Sequence, residues 1–444
     1  MMGEHRFLLP DRLWKGNSWK SGEGIEVSSD GEILDIRKPE KKDRIETLSG
    51  RAFLPGFVNA HSHAFQRALR GRTQTRSEQN PQDDFWTWRE QMYRVVESLT
   101  PSSLQAITAM CQMEMMKAGW TSVAEFHYLH HLGEDPILDA TALSGIRTTL
   151  IRVAYFRAGF EQSPSPGQKN FMEFPDTFFA HCRALKKKVS ANPLLHWGSG
   201  IHSLRAVDRE QARDVRDFAQ EEKVPFHMHV AEQPREVEEC WNEHGMGPGR
   251  FLEEMEIPGK ATTLVHGNHF TPNEFDTLMH TGATICICPS TESDLGDGLY
   301  ATGECWNRNI PISLGSDSHT LLDPFAELRA LEYLERSAHR RRICIEPVEE
   351  LLRIGSEAGS SAMGIPLGKL EEGYPADIIA IDLHHDTLTG TTEESLLPSI
   401  LLSGSPNLVR DVWIGGERVI TDRTHKEEEL IRDNFTTTME NLWK

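Results

Sequence analysis

Apolar residues in this chain fall into two kinds of run. Near both ends the runs are short and alternate with polar positions. Ile25-Glu26-Val27 and Ile33-Leu34-Asp35-Ile36 flank Asp30-Gly31, and Val412-Trp413-Ile414 and Arg418-Val419-Ile420 flank Gly415-Gly416. Alternation gives a strand one buried face, and Asp-Gly or Gly-Gly supplies the positive φ that a tight hairpin turn needs. Residues 377–382 add a further strand. Between these ends, unbroken apolar strands alternate with capped helices. Thr262-Thr263-Leu264-Val265, residues 283–288 and residues 310–315 read as strands buried on both faces. Thr100-Pro101 starts a helix that Gly119 ends, and Thr271-Pro272-Asn273-Glu274 joins a capping box to a first-turn proline ahead of a helix closed by Gly282. Buried strands alternating with helices require a parallel sheet with crossover helices, and a middle of roughly 300 residues suits a (β/α)8 barrel. The expected fold is α/β: a TIM-like barrel over 54–370, with 1–53 and 371–444 pairing into one small β-sandwich domain.

Where the apolar strands end, the same residue types recur. His61 and His63 close Leu54-Pro55-Gly56-Phe57-Val58-Asn59-Ala60, and side chains at i and i+2 of a strand share a face. His227-Met228-His229-Val230-Ala231-Glu232 ends another strand, His266 follows Val265, and Asp317 follows residues 312–316. In a parallel barrel these ends converge on one mouth. Three neutral imidazoles and a carboxylate form a site for a divalent ion that keeps room for water. Any one of them alone reads equally well as a satisfied polar residue at a strand end. Their recurrence at four strand ends carries the metal reading. His227 has no glutamate at the matching offset and is read as a supporting residue.

Charge and cysteine usage narrow the function. The 444 residues carry 67 acidic and 47 basic side chains, a formal charge of −20. Such a surface opposes nucleic acid and anionic membranes, so arginines that bind an anionic substrate must be local. The N-terminus lacks the pattern of a secretory signal, and no apolar run approaches the roughly 20 residues of a membrane span. Seven cysteines without a Cys-x-x-Cys pair point to reduced thiols and a cytoplasmic setting, with Cys286 and Cys288 read as strand core.

The strings LPGFVNAHSHAFQRA, FWTWRE, AEFHYLHH, HSLRAV, HVAEQ, STESDLGDG and GSDSH together resemble the amidohydrolase superfamily, in its mononuclear deaminase branch. The resemblance implies a metal-dependent hydrolase barrel in which His61, His63, His229 and Asp317 hold one divalent ion, zinc first, with iron or manganese as alternatives. No strand-end lysine is placed for a carbamylated two-metal site. By the same resemblance Glu232 shuttles a proton, His266 lies beside the attacking water, and Asp317 also acts in catalysis. Gln66, Arg89, Tyr128, His202 and Arg205 then form the substrate pocket. The implied reaction is hydrolysis of a linear amidine with two carboxylates, N-formimino-L-glutamate, to N-formyl-L-glutamate and ammonia in histidine degradation, by a homodimer. Guanidinium binds carboxylate bidentately, in keeping with two pocket arginines. Base deaminases carry an asparagine after the seventh strand, where this chain reads Ser290-Thr291-Glu292-Ser293. Alternatives are a deaminase of a purine, a pterin or another small amidine or guanidine, and a non-catalytic barrel.

Overall fold

The structure, a computed structural model, describes residues 5–75, 84–160 and 163–444. Eight parallel strands lie side by side in chain order: β1 (Phe57–Ser62), β2 (Trp120–His127), β3 (Arg147–Ala154), β4 (Leu195–Ile201), β5 (Phe226–Val230), β6 (Thr262–His266), β7 (Thr284–Ile287) and β8 (Ile312–Leu314). The seam closes just beyond β8. Ser62 pairs with Asp317 in a parallel bridge, and the N–H groups of Ser316 and Asp317 both donate to the His61 carbonyl, at 3.0 and 3.1 Å. Nearly every strand residue is buried, as expected for strands filled inside and covered by helices outside.

The expected helix signals form as read, with one change of length. Thr100 Oγ1 accepts the Ser103 N–H at 3.2 Å while Ser103 Oγ accepts the Thr100 N–H at 2.7 Å, starting the helix Pro101–Ala118; Gly119 ends it at φ 105°. The Thr271–Glu274 box starts Pro272–Leu278, which stops short of Gly282. Thr281 Oγ1 donates to the Leu278 carbonyl at 2.8 Å and accepts the Ala283 N–H at 3.1 Å, taking groups that a longer helix would use.

Both termini build a second, nine-stranded sheet. Its centre joins Ile45–Pro55 to Ile378–Asp382 antiparallel, and both expected hairpins, Gly24–Val27 with Ile33–Arg37 and Val409–Ile414 with Glu417–Thr421, flank it. The ten-residue strand Arg6–Lys15 was not legible, because its register shifts between Pro10 and Arg12 and breaks the alternation. A single residue, Gly56, links this sheet to β1, and a Cβ there would overlap the Thr121 side chain. Arg147, first residue of β3, holds Asp377 bidentately at 2.8 and 2.9 Å, and Asp377 Oδ1 also accepts the Gly415 N–H at 2.7 Å. The last helix, Glu428–Leu442, packs Ile431 onto Ala109 and Met113 of Pro101–Ala118.

Candidate active site

The C-terminal ends of β1, β5 and β8 bring His61, His63, His229 and Asp317 together. The three Nε2 atoms form a triangle with sides of 3.2, 3.2 and 3.0 Å, and Asp317 Oδ1 lies 3.3 Å from His61 Nε2 and 3.2 Å from His63 Nε2. Backbone carbonyls settle two tautomers. His63 Nδ1 lies 3.1 Å from the Phe126 carbonyl, and His229 Nδ1 lies 2.9 Å from the His202 carbonyl. A carbonyl only accepts, so each Nδ1 carries the proton and each Nε2 presents a bare lone pair. Two such lone pairs and a carboxylate oxygen at 3.2 Å repel one another unless a cation lies between them. A tetrahedron has edges about 1.63 times its centre-to-corner distance, so zinc with bonds of about 2.0–2.1 Å needs donors about 3.3–3.4 Å apart. The observed spacings fit. Burial pulls the His61 imidazole down to about 3 and His229 well below its ordinary value, which keeps both neutral as ligands require. Burial pushes the Asp317 carboxyl up, but the close approach of the His61 and His63 imidazoles outweighs it and holds the group well below the usual carboxylate range.

His266, ending β6, stands beside this cluster. Its Nε2 is 3.7 Å from Glu232 Oε1 and 3.9 Å from Asp317 Oδ2, while its Nδ1 donates to Glu292 Oε1 at 3.1 Å. Burial opposes its protonation, but the charges of Glu232, Asp317 and Glu292 prevail and raise its pKa well above the usual value. Burial pushes the Glu232 carboxyl up to about 7, with Asp317 and Glu236 adding to the effect and His266 and Arg205 opposing it. Backbone strain gathers at the same place. Ala231, His266, Asp317 and His319 all have positive φ, at 52°, 75°, 43° and 60°. Non-glycine residues in that region cost energy and cluster at functional sites.

One cavity holds the rest. Gln66, Arg89, Tyr128, His202 and Arg205 line the same cavity as His63, His229, Glu232, His266 and Asp317, so of the residues that the resemblance assigns to metal, catalysis or substrate only His61 is not on its wall. The two arginines are unlike most others in the chain. Among the described residues neither makes an ion pair within 4 Å, although Glu236 and Glu232 act on Arg205 from farther away, and the Nε of each is buried without a hydrogen-bond partner. Arg89 rests against rings instead, its guanidinium 4.5 Å from the Trp86 centroid and 5.6 Å from Tyr93. Gln66 Nε2 approaches the Tyr128 hydroxyl at 3.5 Å, and its buried Oε1 is unpaired. His227 does not line the cavity; its Nε2 lies 2.9 Å from the Ala362 carbonyl in the core.

Sequence reasoning missed three contributors. Glu292, fully buried, orients His266; the segment that carries it was quoted for the family resemblance and for lacking asparagine, with no role given to Glu292. Tyr155 lines the cavity one residue past β3, where the strand-end rule used for histidines would have found it. Tyr93 lies one helical turn after Arg89 on Phe85–Ser98 and lines the same wall.

Comparisons with known proteins show the family and the fold. The family described as Amidohydrolase family matches residues 52–419. A formimidoylglutamate deiminase of Pseudomonas aeruginosa is 36% identical, over 96% of this chain and 95% of that protein. A 5-methylthioadenosine/S-adenosylhomocysteine deaminase of Haloquadratum walsbyi is 26% identical, over 78% of this chain and 75% of its own length. Among solved structures, an amidohydrolase from Brucella melitensis superposes with a TM-score of 0.90 at 28% identity, covering 99% of this chain and 100% of its own. An adenosine deaminase from Xanthomonas campestris with bound zinc shares the fold, with a TM-score of 0.85 at 20% identity and 98% of each chain covered.

Proposed function

The chain belongs to the amidohydrolase family and is a hydrolase acting on C–N bonds; within that family we propose that it converts N-formimino-L-glutamate and water to N-formyl-L-glutamate and ammonia. One observation carries the choice of substrate. Two guanidinium groups, neither with a carboxylate within 4 Å among the described residues, face the cavity that ends at the His/His/His/Asp cluster, on a chain with a formal charge of −20. A protein with acids to spare that leaves these two cations without a close ion pair is built to receive an anion. Formimino-glutamate brings two carboxylates and, at its other end, an amidinium cation. The carboxylates suit Arg89 and Arg205; the cation suits the acidic end of the cavity near Glu232 and Asp317.

The cluster fits a divalent ion, with zinc as the proposed occupant. Held by His61, His63, His229 and Asp317, such an ion would supply a nucleophile at neutral pH by lowering the pKa of water from 15.7 to about 7. The protein's own groups supply the rest. Asp317 Oδ2, turned toward His266, accepts a proton during attack on the amidine carbon. His266, tied at Nδ1 to Glu292, points Nε2 at the same space and stabilises negative charge as it develops. Glu232, with its pKa near neutrality, both takes and gives a proton at physiological pH, so it protonates the departing nitrogen and lets it leave as ammonia. Gln66 Oε1 accepts from an amidinium N–H. Operation in the cytoplasm, as a homodimer, in histidine breakdown, belongs to the same proposal.

Steady-state ammonia release tests it across three compounds: N-formimino-L-glutamate, its analogue lacking the α-carboxylate, and adenosine. The proposal expects efficient turnover of the first, a raised KM for the second and none for the third. Deamination of adenosine alone overturns it.

A further inference from the structure

We propose that a buried chain of hydrogen bonds through Cys111, His319, Ser62 and Glu125 sets the spacing of the metal ligands, with Ser62, Glu125 and His319 as positioning residues. The inference rests on reading His61, His63, His229 and Asp317 as ligands. Ser62 lies between two of them in sequence. Its Oγ donates to Glu125 Oε2 at 2.5 Å and lies 3.0 Å from His319 Nε2. Glu125 Oε1 accepts the Ala64 N–H at 2.7 Å, and His319 Nδ1 lies 2.9 Å from Cys111 Sγ. All four side chains are buried.

With Glu125 ionised, one proton arrangement satisfies the whole chain. Ser62 spends its hydrogen on the carboxylate, so His319 must donate from Nε2 to the serine oxygen. His319 Nδ1 is then a bare acceptor, and Cys111 S–H is the donor that faces it. The chain ties together three separate pieces of the site. β1 carries His61 and His63. β2 carries Glu125, whose carboxylate grips the backbone on the far side of His63. The loop after β8 carries Asp317 and, two residues on, His319. That loop is strained at both residues and is held by Arg70 Nε donating to the His319 carbonyl at 2.8 Å. None of the four side chains lines the cavity, so they act on the substrate only through the ligands. Partners of this kind fix ligand orientation, and their loss typically lowers metal affinity about 10- to 100-fold.

Zinc affinity of the full chain, measured by competition with a chromophoric chelator, and the visible spectrum of the cobalt-substituted protein test the proposal. Ser62→Ala and Glu125→Gln are expected to weaken zinc binding about 10- to 100-fold and shift the cobalt bands. The double variant should lose little more than the worse single one, because the chain acts as a unit. Cys111 provides a milder probe, away from the ligands. Cys111→Val is expected to weaken zinc binding several-fold, whereas Cys111→Ser, which keeps a donor, holds parent affinity. Zinc affinities within twofold of the parent in all variants overturn the proposal, including the case in which melting temperatures fall. A parent protein that binds no zinc overturns the underlying metal reading instead, so the two failures are distinguishable.

Discussion

Replacing Arg89 with methionine separates a binding cation from a structural one. The change keeps the aliphatic length of the side chain and its contact with Trp86 and Tyr93 but removes the guanidinium. In the free protein no carboxylate is orphaned, since Arg89 makes no ion pair within 4 Å among the described residues. Removal of a partly buried, unpaired cation should therefore leave the melting temperature unchanged or raise it. Substrate binding behaves differently. A bidentate guanidinium–carboxylate pair supplies two charge-assisted hydrogen bonds, each worth about 1.5–3 kcal/mol. Taking the low end for a half-buried residue gives a loss of about 3 kcal/mol, or roughly 150-fold in kcat/KM. Because the carboxylate is remote from the amidine carbon, the loss should fall mainly on KM. Ammonia release from N-formimino-L-glutamate reads both constants, and inhibition by glutarate reports binding without chemistry. The analogue lacking the carboxylate that Arg89 holds should be turned over equally well by parent and variant. A KM within threefold of the parent's, or a fall in melting temperature of many degrees, refutes the reasoning.

Three further outcomes are expected. Glu232→Gln should retain bound metal, by atomic emission, while kcat falls about 10²- to 10⁴-fold; undiminished turnover removes Glu232 from the proton path. Arg147→Ala leaves Asp377 buried without its partner between the barrel and the second sheet, and should cost about 3–5 kcal/mol in urea denaturation. Glu327 is buried against the Ser290 N–H, and burial pushes its carboxyl up to about 8. A raised carboxyl favours the folded state only while protonated, so its ionisation erodes stability as pH climbs from about 4.5 to about 8. Glu327→Gln should thus be more stable than the parent at pH 8.5, by about 2–4 kcal/mol, with the difference vanishing near pH 4.5.

Much of the site was legible because its residues stand at strand ends. His61, His63, His229, His266 and Asp317 each follow an apolar run abruptly, and barrel geometry alone converts those positions into neighbours. Hairpin and capping signals were legible for the same local reason, as at Asp30-Gly31 and Thr100-Pro101. What escaped depends on contacts between distant segments. Glu292 touches His266 from 26 positions away, and the Ser62–Glu125–His319 chain spans three segments of the barrel. Arg6–Lys15 escaped because Pro10 and a register shift hide its alternation. The two cavity arginines were quoted from their motifs, but only the structure displays them without a close ion pair.

The most direct test follows the reaction of the zinc-loaded protein with N-formimino-L-glutamate by proton NMR. The account predicts loss of the formimino proton, growth of the formyl proton of N-formyl-L-glutamate, and one ammonia per substrate consumed. An unchanged spectrum, or formation of formamide and free glutamate, contradicts it.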